Sequence, residues 1–374
     1  MKQRLFVTLS LAGLAMATFG ATKPKTAIKA LNKTTIQQPT YTEWHDLQVN
    51  AINRFPLHTN FFTYPADDWV SEKDGKIVSK DILHMNKTES KYFLSLDGTW
   101  KFNWVANADQ RPTDFYKEDL DDSNWKTMNV PGNWEMNGFG DPEYVNNGFA
   151  WREHFNEQPP AVPIKDNHVG SYRRIIDIPA NWDGKQVVAH FGSVTSNIYL
   201  YVNGKFAGYA EDSKVAAEFD ITPYLKKGKN LIAFQTFRWC DGSWDEDQDF
   251  WRLSGVARES YLFARDAQLH LEDIRVTPDL VNNYKDGVLN ISAKVKGTGK
   301  LNFILFDKEG KQVATATGLA KNGTANITMN VENPHKWSAE TPYLYTLQVS
   351  LSSALKNGNM KSASMTPVKV GFRK

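Results

Sequence analysis

A short β-hairpin is the sequence feature that most constrains how this chain can fold. Residues 198–202 and 205–209 are two runs of strand-forming residues, and Asn203 and Gly204 lie between them. An Asn-Gly pair tolerates the positive φ angles of a type I′ turn, whose twist matches that of the strands it joins. Similar short runs follow the same pattern at 98–104, 170–178, 186–191 and 230–237. Many short strands with turn residues between them, and hardly a helical run, predict an all-β sandwich or jelly roll over residues 92–266.

The strand spacing changes after about residue 267. Residues 267–374 contain runs typical of strands at 269–277, 287–295, 300–306, 324–331 and 343–351. About 100 residues with this spacing suit a seven-stranded immunoglobulin-like sandwich. The sequence therefore predicts two consecutive β-sandwich domains, which we call the first sandwich (92–266) and the second sandwich (267–374).

The amino terminus has the pattern of a secretory signal. Lys2 and Arg4 precede an apolar run over residues 5–19, and the small residues Gly20 and Ala21 follow. A basic start, a short hydrophobic stretch and small residues at its end are typical of a cleaved signal peptide, and the run is short for a membrane-spanning helix. We expect a signal peptide over residues 1–20 and no membrane insertion after cleavage. Residues 21–91 are expected to be a leader and an extended segment that packs on the first sandwich.

Cysteine content, charge and aromatic content narrow the class of protein. Cys240 is the only cysteine, so no intrachain disulfide can form, and domains of this size need none. Together with the signal peptide, the lack of an intrachain disulfide favours a periplasmic or secreted bacterial enzyme. The formal net charge is +2 with no dense basic stripe, which argues against a nucleic-acid partner. Aromatic residues make up 13% of the chain, and their flat faces suit sugars, although β-rich cores also use aromatics as filler.

The acidic loop, which we define as residues 238–252, is the segment richest in polar chemistry. Carboxylates accept paired hydrogen bonds from sugar hydroxyls and are hard oxygen ligands for a cation. An acidic surface turn stabilised by arginine pairs is the alternative interpretation. The loop lacks the 12-residue calcium-loop pattern, so that motif is excluded. Its acids are Asp241, Asp245, Glu246, Asp247 and Asp249, with Arg238 and Arg252 on either side and Trp239, Trp244 and Trp251 between them.

The acidic loop resembles the signature of the long-chain β-galactosidases of glycoside hydrolase family 2. The similarity lies in Asp-Gly-Ser at 241–243, Glu-Asp-Gln-Asp at 246–249, Trp-Arg at 251–252 and Ser-Gly at 254–255. The resemblance implies that Asp241 reaches the active site, where it contacts the galactose 6-hydroxyl and a sodium ion. We assign the remaining acids and Arg252 to the architecture of the loop.

A second stretch resembles the same family. It consists of Val-Pro-Gly-Asn-Trp at 130–134 and a Tyr-x-Asn turn that begins at Tyr144. The resemblance implies that Asn146 helps to shape the galactose pocket, with Asn147 as the alternative register. An Asn amide can both donate to and accept from sugar hydroxyls, although Asn-Asn-Gly is also an ordinary turn sequence. Further matches occur in family order over residues 44–374, at 53–58, 95–102, 191–197, 209–213, 331–345 and 370–373.

The resemblance also implies what to expect of the reaction. The fold is expected to be a galactose-binding-like jelly roll followed by an immunoglobulin-like sandwich. Retaining glycosidases use two carboxylic acids about 5–5.5 Å apart. In this family both are glutamates of an eight-stranded α/β barrel of ~250 residues, which this chain is expected not to contain. The catalytic glutamates and the Mg²⁺ ligands would then belong to that barrel, and we expect no catalytic residue in this chain.

The expected function is that of an amino-terminal fragment, inactive alone, of an exported β-galactosidase that hydrolyses terminal β-D-galactosides with retention. A β-galactoside is the expected partner, and a homo-oligomer is compatible with the full-length form. Two alternatives stay open. One is a non-catalytic carbohydrate-binding or adhesion protein, and the other is a β-glucuronidase or β-mannosidase of the same family.

Overall fold

The structure of the protein is a computed structural model that describes residues 38–73, 76–145, 151, 156–246, 248–320, 323–354 and 360–374. The predicted signal peptide, most of the leader, Asn146 and its alternative Asn147 lie outside the described residues. None of the helices in the described ranges is long and apolar enough to cross a membrane. The predicted all-β fold is confirmed, because strands make up nearly all of the regular structure.

The first part of the chain contains nineteen strands, most of them short. In chain order they are β1 Ala51–Ile52, β2 Tyr64–Pro65, β3 Val70–Lys73, β4 Lys76–Ser79, β5 Phe93–Ser95, β6 Gly98–Val105, β7 Lys126–Val130, β8 Gly132–Asn133, β9 Glu143–Val145, β10 Val169–Ile178, β11 Gln186–Phe191, β12 Val194–Thr195, β13 Ile198–Val202, β14 Lys205–Ala210, β15 Ala217–Asp220, β16 Gly228–Phe237, β17 Phe250–Arg252, β18 Gly255–Val256 and β19 Ser260–Arg265, among the described residues.

The second part of the chain contains the seven longer strands β20 His270–Val281, β21 Asp286–Lys296, β22 Lys300–Phe306, β23 Gln312–Leu319, β24 Thr324–Val331, β25 Tyr345–Ala354 and β26 Met360–Val370, again within the described ranges. Helices are short. They are α1 Ala66–Trp69 and the 3₁₀ turns Glu43–His45, Ile82–His84, Lys87–Glu89, Ala108–Gln110, Glu135–Asn137, Ala180–Trp182, Thr222–Tyr224 and Asp241–Trp244.

The first sandwich consists of a seven-stranded and a four-stranded antiparallel sheet. The strand orders are β1-β14-β13-β16-β10-β6-β7 and β15-β11-β19-β5. Buried aromatic rings fill the space between them. The Tyr172 ring stacks on Phe234 at a centroid distance of 4.3 Å, and Phe191 of the smaller sheet contacts the same Phe234 ring at 5.3 Å. Most of the aromatic residues in this domain are therefore core residues.

The hairpin predicted at residues 198–209 is confirmed. Asn203 and Gly204 have φ angles of 49° and 75°, as a type I′ turn requires. The Asn203 side chain also donates to Asn230 Oδ1 at 2.8 Å and accepts from the Leu231 backbone at 2.9 Å. The turn therefore ties β13 and β14 to the start of β16, whose far end leads into the acidic loop.

The second sandwich has a simpler construction. Its sheets have the strand orders β2-β26-β25-β22-β23 and β20-β21-β24. Buried and partly exposed residues alternate along β22, as expected of a sheet with one face on a core. Leu289, Phe303, Leu305 and Leu347 are all fully buried there. The core of the second sandwich is thus mainly aliphatic.

The extended segment before residue 92 contacts both sandwiches. Its strand β1 pairs with β14 of the first sandwich, and its strand β2 pairs with β26 of the second. Between them, the Phe55 backbone donates to Glu218 O at 2.8 Å, and the Thr59 backbone donates to Asp273 Oδ1 at 3.0 Å. The sequence indicated packing on the first sandwich, and the structure adds the second.

Candidate functional site

The acidic loop begins where β16 ends at one end of the first sandwich. Asn167 anchors it, since its side chain accepts from the Trp239 backbone N–H at 2.9 Å and donates to Trp239 O at 3.0 Å. The Trp151 ring lies 5.7 Å from the Trp239 ring and 4.3 Å from the Trp244 ring. This cluster of indole rings packs against the acidic loop and stabilises its conformation.

Asp241 is the first residue of the 3₁₀ turn in this loop. The turn is closed by Cys240, whose backbone N–H donates to Ser243 Oγ at 3.1 Å and whose carbonyl accepts from the Ser243 backbone at 3.0 Å. Asp241 is only 6% exposed, and its Oδ2 has no hydrogen-bond partner among the described residues. Buried polar atoms are normally hydrogen-bonded, so an unpartnered carboxylate oxygen is compatible with a bound ligand.

Glu211 lies beside Asp241, and the sequence analysis did not single it out. It follows directly after β14 and is 6% exposed. Its Oε1 accepts from the Tyr209 hydroxyl at 2.6 Å. One ligand atom each from Glu211, Cys240 and Asp241 all lie within 4.8 Å of one another. The only sequence signal for Glu211 was its place in the 209–213 match to the family.

Burial controls the ionisation of this pair. Burial raises the pKa of Glu211 to about 8, the Tyr209 hydrogen bond opposes the increase, and the neighbouring Asp241 charge adds to it. Burial likewise raises the pKa of Asp241, against hydrogen bonding to Glu211 and to the Gly242 backbone. Both effects arise because a carboxylate loses hydration in a low-dielectric site.

The extended segment also forms part of this site. The Glu211 backbone donates to Asn50 O at 3.0 Å, next to the pairing of β1 with β14. Glu43 is buried and accepts from the Tyr199 hydroxyl at 3.0 Å. The 3₁₀ turn Glu43–His45 and the residues after it therefore lie against the strands that carry Glu211.

Two other acids of the loop, Glu246 and Asp249, contact the protein itself. Glu246 Oε1 accepts from the Ser213 backbone at 2.8 Å. Asp249 Oδ1 accepts from the Tyr144 hydroxyl at 2.5 Å. Arg252 Nη1 donates to the carbonyls of Gln248 and Phe250 at 2.6 and 2.7 Å. These contacts stabilise the conformation of the acidic loop.

Two aromatic side chains beside the loop are exposed rather than buried. Tyr144 and Trp251 are 51% and 55% exposed, and their ring centroids lie 5.4 Å apart on the paired strands β9 and β17. Asn146 and Asn147 follow β9 but lie outside the described residues. Of the two site residues predicted from the sequence, the structure describes Asp241, which lies beside Glu211.

The motif at 130–134 is linked through Glu135 to Ser254, which follows the acidic loop. Both carboxylate oxygens of Glu135 accept from the Ser254 backbone N–H, at 3.1 and 2.9 Å. Strand β8 pairs with β18 in the same place. The two stretches that carry the family resemblance are therefore neighbours in space.

Two cavities of very different size lie at opposite ends of the first sandwich. The one beside the acidic loop, lined in part by Arg238, Ser243 and Glu246, has a volume of about 40 Å³. The other, around Trp182 and Leu225 near the start of β16, has about 450 Å³. The first has room for a water molecule or two, whereas ligand pockets are usually about 300–1,000 Å³. Beside the loop, the described residues form a partial wall rather than a sugar-sized pocket.

Comparison with protein families assigns the first sandwich with its acidic loop and the second sandwich to the same class of protein. The sugar binding domain of glycosyl hydrolases family 2 matches residues 93–266, and a second domain of glycosyl hydrolases family 2 matches residues 269–373. The chain belongs to glycosyl hydrolases family 2.

Relatives named β-galactosidase match most of this chain. The chain is 36% identical over 346 residues to a β-galactosidase of Priestia megaterium, covering 89% of this chain and 32% of the relative. It is 36% identical over 333 residues to a β-galactosidase of Halalkalibacterium halodurans, covering 88% of this chain and 31% of the relative. The chain thus spans about a third of the length of these two relatives.

Solved structures share the fold. A β-glucuronidase of Bifidobacterium dentium has a TM-score of 0.60 at 18% identity, covering 75% of this chain and 48% of that one. A β-glycosidase of Bacteroides vulgatus has a TM-score of 0.57 at 22% identity, covering 75% of this chain and 34% of that one. At these identities the likeness concerns the fold alone.

Proposed function

We propose that this chain is the amino-terminal, sugar-binding part of an exported β-galactosidase that hydrolyses terminal non-reducing β-D-galactosides with retention. The observation that carries the proposal is the buried Asp241 in the acidic loop, in a chain 36% identical to relatives named β-galactosidase. Export to the periplasm or the medium rests on the signal-like pattern of residues 1–20. The catalytic glutamates and the Mg²⁺ ligands are assigned to a barrel outside this chain.

In this proposal Asp241 contacts the galactose 6-hydroxyl and a sodium ion. The residue fits a cation, because its buried Oδ2 has no partner among the described residues and carboxylate oxygen is a hard ligand. A bound sodium ion would supply a fixed positive charge beside the sugar. Asn146, two residues after Tyr144, would add an amide that donates to and accepts from sugar hydroxyls.

The charge of the site favours a galactoside over a glucuronide. A glucuronide carries a carboxylate where galactose carries the 6-hydroxyl. That carboxylate would face the buried Asp241, and like charges in a site of low dielectric repel strongly. A neutral hydroxyl can instead donate a hydrogen bond to Asp241.

The test uses the complete reading frame that contains this chain. We expect release of p-nitrophenol from the β-galactoside to be much faster than from the β-glucuronide. Asp241→Asn should lower kcat/KM on the galactoside roughly tenfold to a hundredfold, because a hydrogen bond to a charged group is lost. The matched control Asp245→Asn changes an exposed acid of the same loop and should leave kcat/KM unchanged.

Faster turnover of the glucuronide, or full activity in Asp241→Asn, would contradict the proposal. The chain alone should release no p-nitrophenol above a buffer blank.

A further inference from the structure

We propose that a phosphate group binds in a cavity at the place where the extended segment and the two sandwiches meet. We call this space the junction cavity, and its walls include Phe55, Gln186, Arg265, His270 and Lys296. None of the residues that line it belongs to the acidic loop. The inference therefore goes beyond the proposed function and does not depend on it.

The junction cavity has walls from three parts of the chain. The extended segment supplies residues 55–58, the first sandwich supplies Gln186 and Arg265, and the second sandwich supplies side chains of β20 and β21. Its volume is about 280 Å³, close to the lower end of the usual range for ligand pockets. The cavity therefore has room for a small ligand, such as inorganic phosphate or a phosphorylated monosaccharide.

Arg265 is the residue that indicates an anion. It is only 7% exposed, and in the described ranges it forms no ion pair with a carboxylate. Its Nε donates to Gln186 Oε1 at 2.8 Å and its Nη1 to Leu271 O at 3.5 Å, whereas Nη2 has no hydrogen-bond partner among the described residues. The guanidinium carbon lies 5.5 and 5.7 Å from the ring centroids of Phe55 and Phe263, which hold it in place without balancing its charge. A buried charge without a counter-ion costs free energy, and a bound anion would offset that cost.

The acids that act on Arg265 are engaged by other groups. Glu218, Glu272 and Asp220 favour the charged guanidinium, yet burial still lowers the pKa of Arg265. Glu218 accepts from two histidines. Asp220 accepts from Gln186 Nε2 at 2.7 Å, and Glu272 forms its ion pair with a lysine at 3.4 Å. The positive charge of Arg265 is therefore not neutralised by direct contact with these carboxylates.

The second sandwich adds positive charge to the same cavity. Lys294 and Lys296 lie on one face of β21, because side chains two residues apart in a strand point the same way. Lys296 has no ion pair in the part of the chain that the structure describes, and it is paired in register with His270 of β20. Burial and the charges of Arg265 and Lys296 lower the pKa of His270 to about 4. Asp273 also lines the cavity, but its Oδ1 accepts from two backbone N–H groups.

These donors suit a tetrahedral oxyanion. A guanidinium presents its N–H groups in a rigid fork that matches phosphate oxygens, and a lysine adds a compact charge on a flexible stem. A phosphate group with two negative charges would balance both Arg265 and Lys296. Because its ligands come from both sandwiches, such an anion would also stabilise the junction between them.

The experiment measures phosphate binding to the full chain by isothermal titration calorimetry and by thermal unfolding, followed by tryptophan fluorescence. Sodium phosphate and glucose 6-phosphate are the probes, and NaCl at the same ionic strength and glucose are their controls. We expect one site per chain and an increase in Tm on the order of 5 °C at a hundredfold excess over Kd. Equal affinity for both probes identifies the free ion as the ligand, whereas tighter binding of glucose 6-phosphate identifies a phosphorylated sugar.

The variants decide which residues hold the anion. Lys296→Gln removes one charge from an exposed side chain and should weaken phosphate binding roughly tenfold. Arg265→Gln should abolish binding, and Lys296→Glu, which reverses an exposed charge, should do the same without changing a buried side chain. Lys300→Gln changes an exposed lysine of the second sandwich outside the cavity and should keep the wild-type Kd.

Phosphate also stabilises proteins by exclusion from their surface, and that effect would be equal in all variants. An equal increase in Tm in the wild-type chain and in Lys296→Glu would therefore overturn the inference. So would an increase no larger than that caused by NaCl. Since no measurement uses a galactoside, phosphate binding without glycosidase activity in the complete reading frame would contradict only the proposed function.

Discussion

The two sandwiches share an all-β architecture but bury different chemistry. The first buries charged side chains, among them Arg173, Glu211, Glu218 and Arg238, together with aromatic rings. In the second, the described buried polar residues comprise His270 and a few serines and threonines, and the core is mainly aliphatic. The two domains therefore obtain their stability in different ways.

This difference indicates which domain carries function. Burying a charge costs free energy unless it is paired, so a domain built for stability alone does not need it. In the first sandwich Glu211 lies beside the acidic loop, Arg238 belongs to it, and Glu218 contacts the extended segment. In the second sandwich, buried and more exposed residues alternate along the strands, as expected of a domain with a structural role. Substitutions of polar side chains should therefore lower the free energy of unfolding more in the first sandwich than in the second.

The largest difference is expected at Arg173. Its guanidinium is 4% exposed, donates to Asp122 at 2.8 Å and also to the carbonyls of Phe115 and Lys117. Arg173→Met leaves these acceptors unpaired and should lower the free energy of unfolding by about 3–5 kcal/mol in urea. The same change at the exposed Arg275 of the second sandwich should stay within about 0.5 kcal/mol. Equal losses of unfolding free energy in Arg173→Met and Arg275→Met would show that the two sandwiches do not differ in this way.

An intermediate, pH-dependent effect is expected where the extended segment meets the first sandwich. Glu218 accepts from His58 Nε2 at 2.9 Å and from His190 Nδ1 at 2.7 Å. Burial opposes ionisation of Glu218, but the hydrogen bonds from both histidines lower its pKa to about 2. The hydrogen bond to Glu218 raises the pKa of His58 above 6.5.

The sign of the effect follows from the direction of these shifts. A histidine with a raised pKa in the folded state stabilises the fold below its unfolded pKa, and this contribution is lost as pH rises through the folded pKa. The free energy of unfolding should therefore fall as pH rises from about 6.5, the ordinary pKa of histidine, through the raised pKa of His58. His58→Gln should flatten this decrease, whereas His84→Gln, an exposed histidine, should preserve it. A decrease that persists in His58→Gln would show that other groups cause it.

The smallest effect is expected on the exposed face of the second sandwich. Thr328 Oγ1 donates to Asn290 Oδ1 at 2.9 Å across β24 and β21, and both residues are exposed. Thr328→Ala should cost about 0.5 kcal/mol in urea unfolding. Asn203→Ala in the first sandwich removes a buried amide and should cost about 1–3 kcal/mol. A loss at Thr328 as large as at Asn203 would argue that the second sandwich also depends on its polar contacts.

Many of the longer strands could be predicted because their pattern is local. The runs at 186–191 and 198–202 are uninterrupted strand formers, and the structure places β11 and β13 there. Several strands were missed, among them β7 and β19 of the first sandwich and β23 and β26 of the second. In the second sandwich the reason is visible in the sequence of β23 and of β26. The first is a series of small residues, and the second contains Pro367, which argues against a strand within a sheet. Both are strands because neighbouring strands supply the hydrogen bonds.

The sequence by itself determined the all-β fold, the Asn203–Gly204 turn and Asp241 as the candidate site residue. Each depends on a short run of residues, in which turn chemistry, period and motif are visible. Only the tertiary structure decided that Glu211 faces Asp241 and that His58 contacts Glu218, 160 residues further along the chain. An isolated acid or histidine carries no local signal of its partner. Which distant segments meet depends on how the sheets pack, because packing alone brings those side chains out of water together.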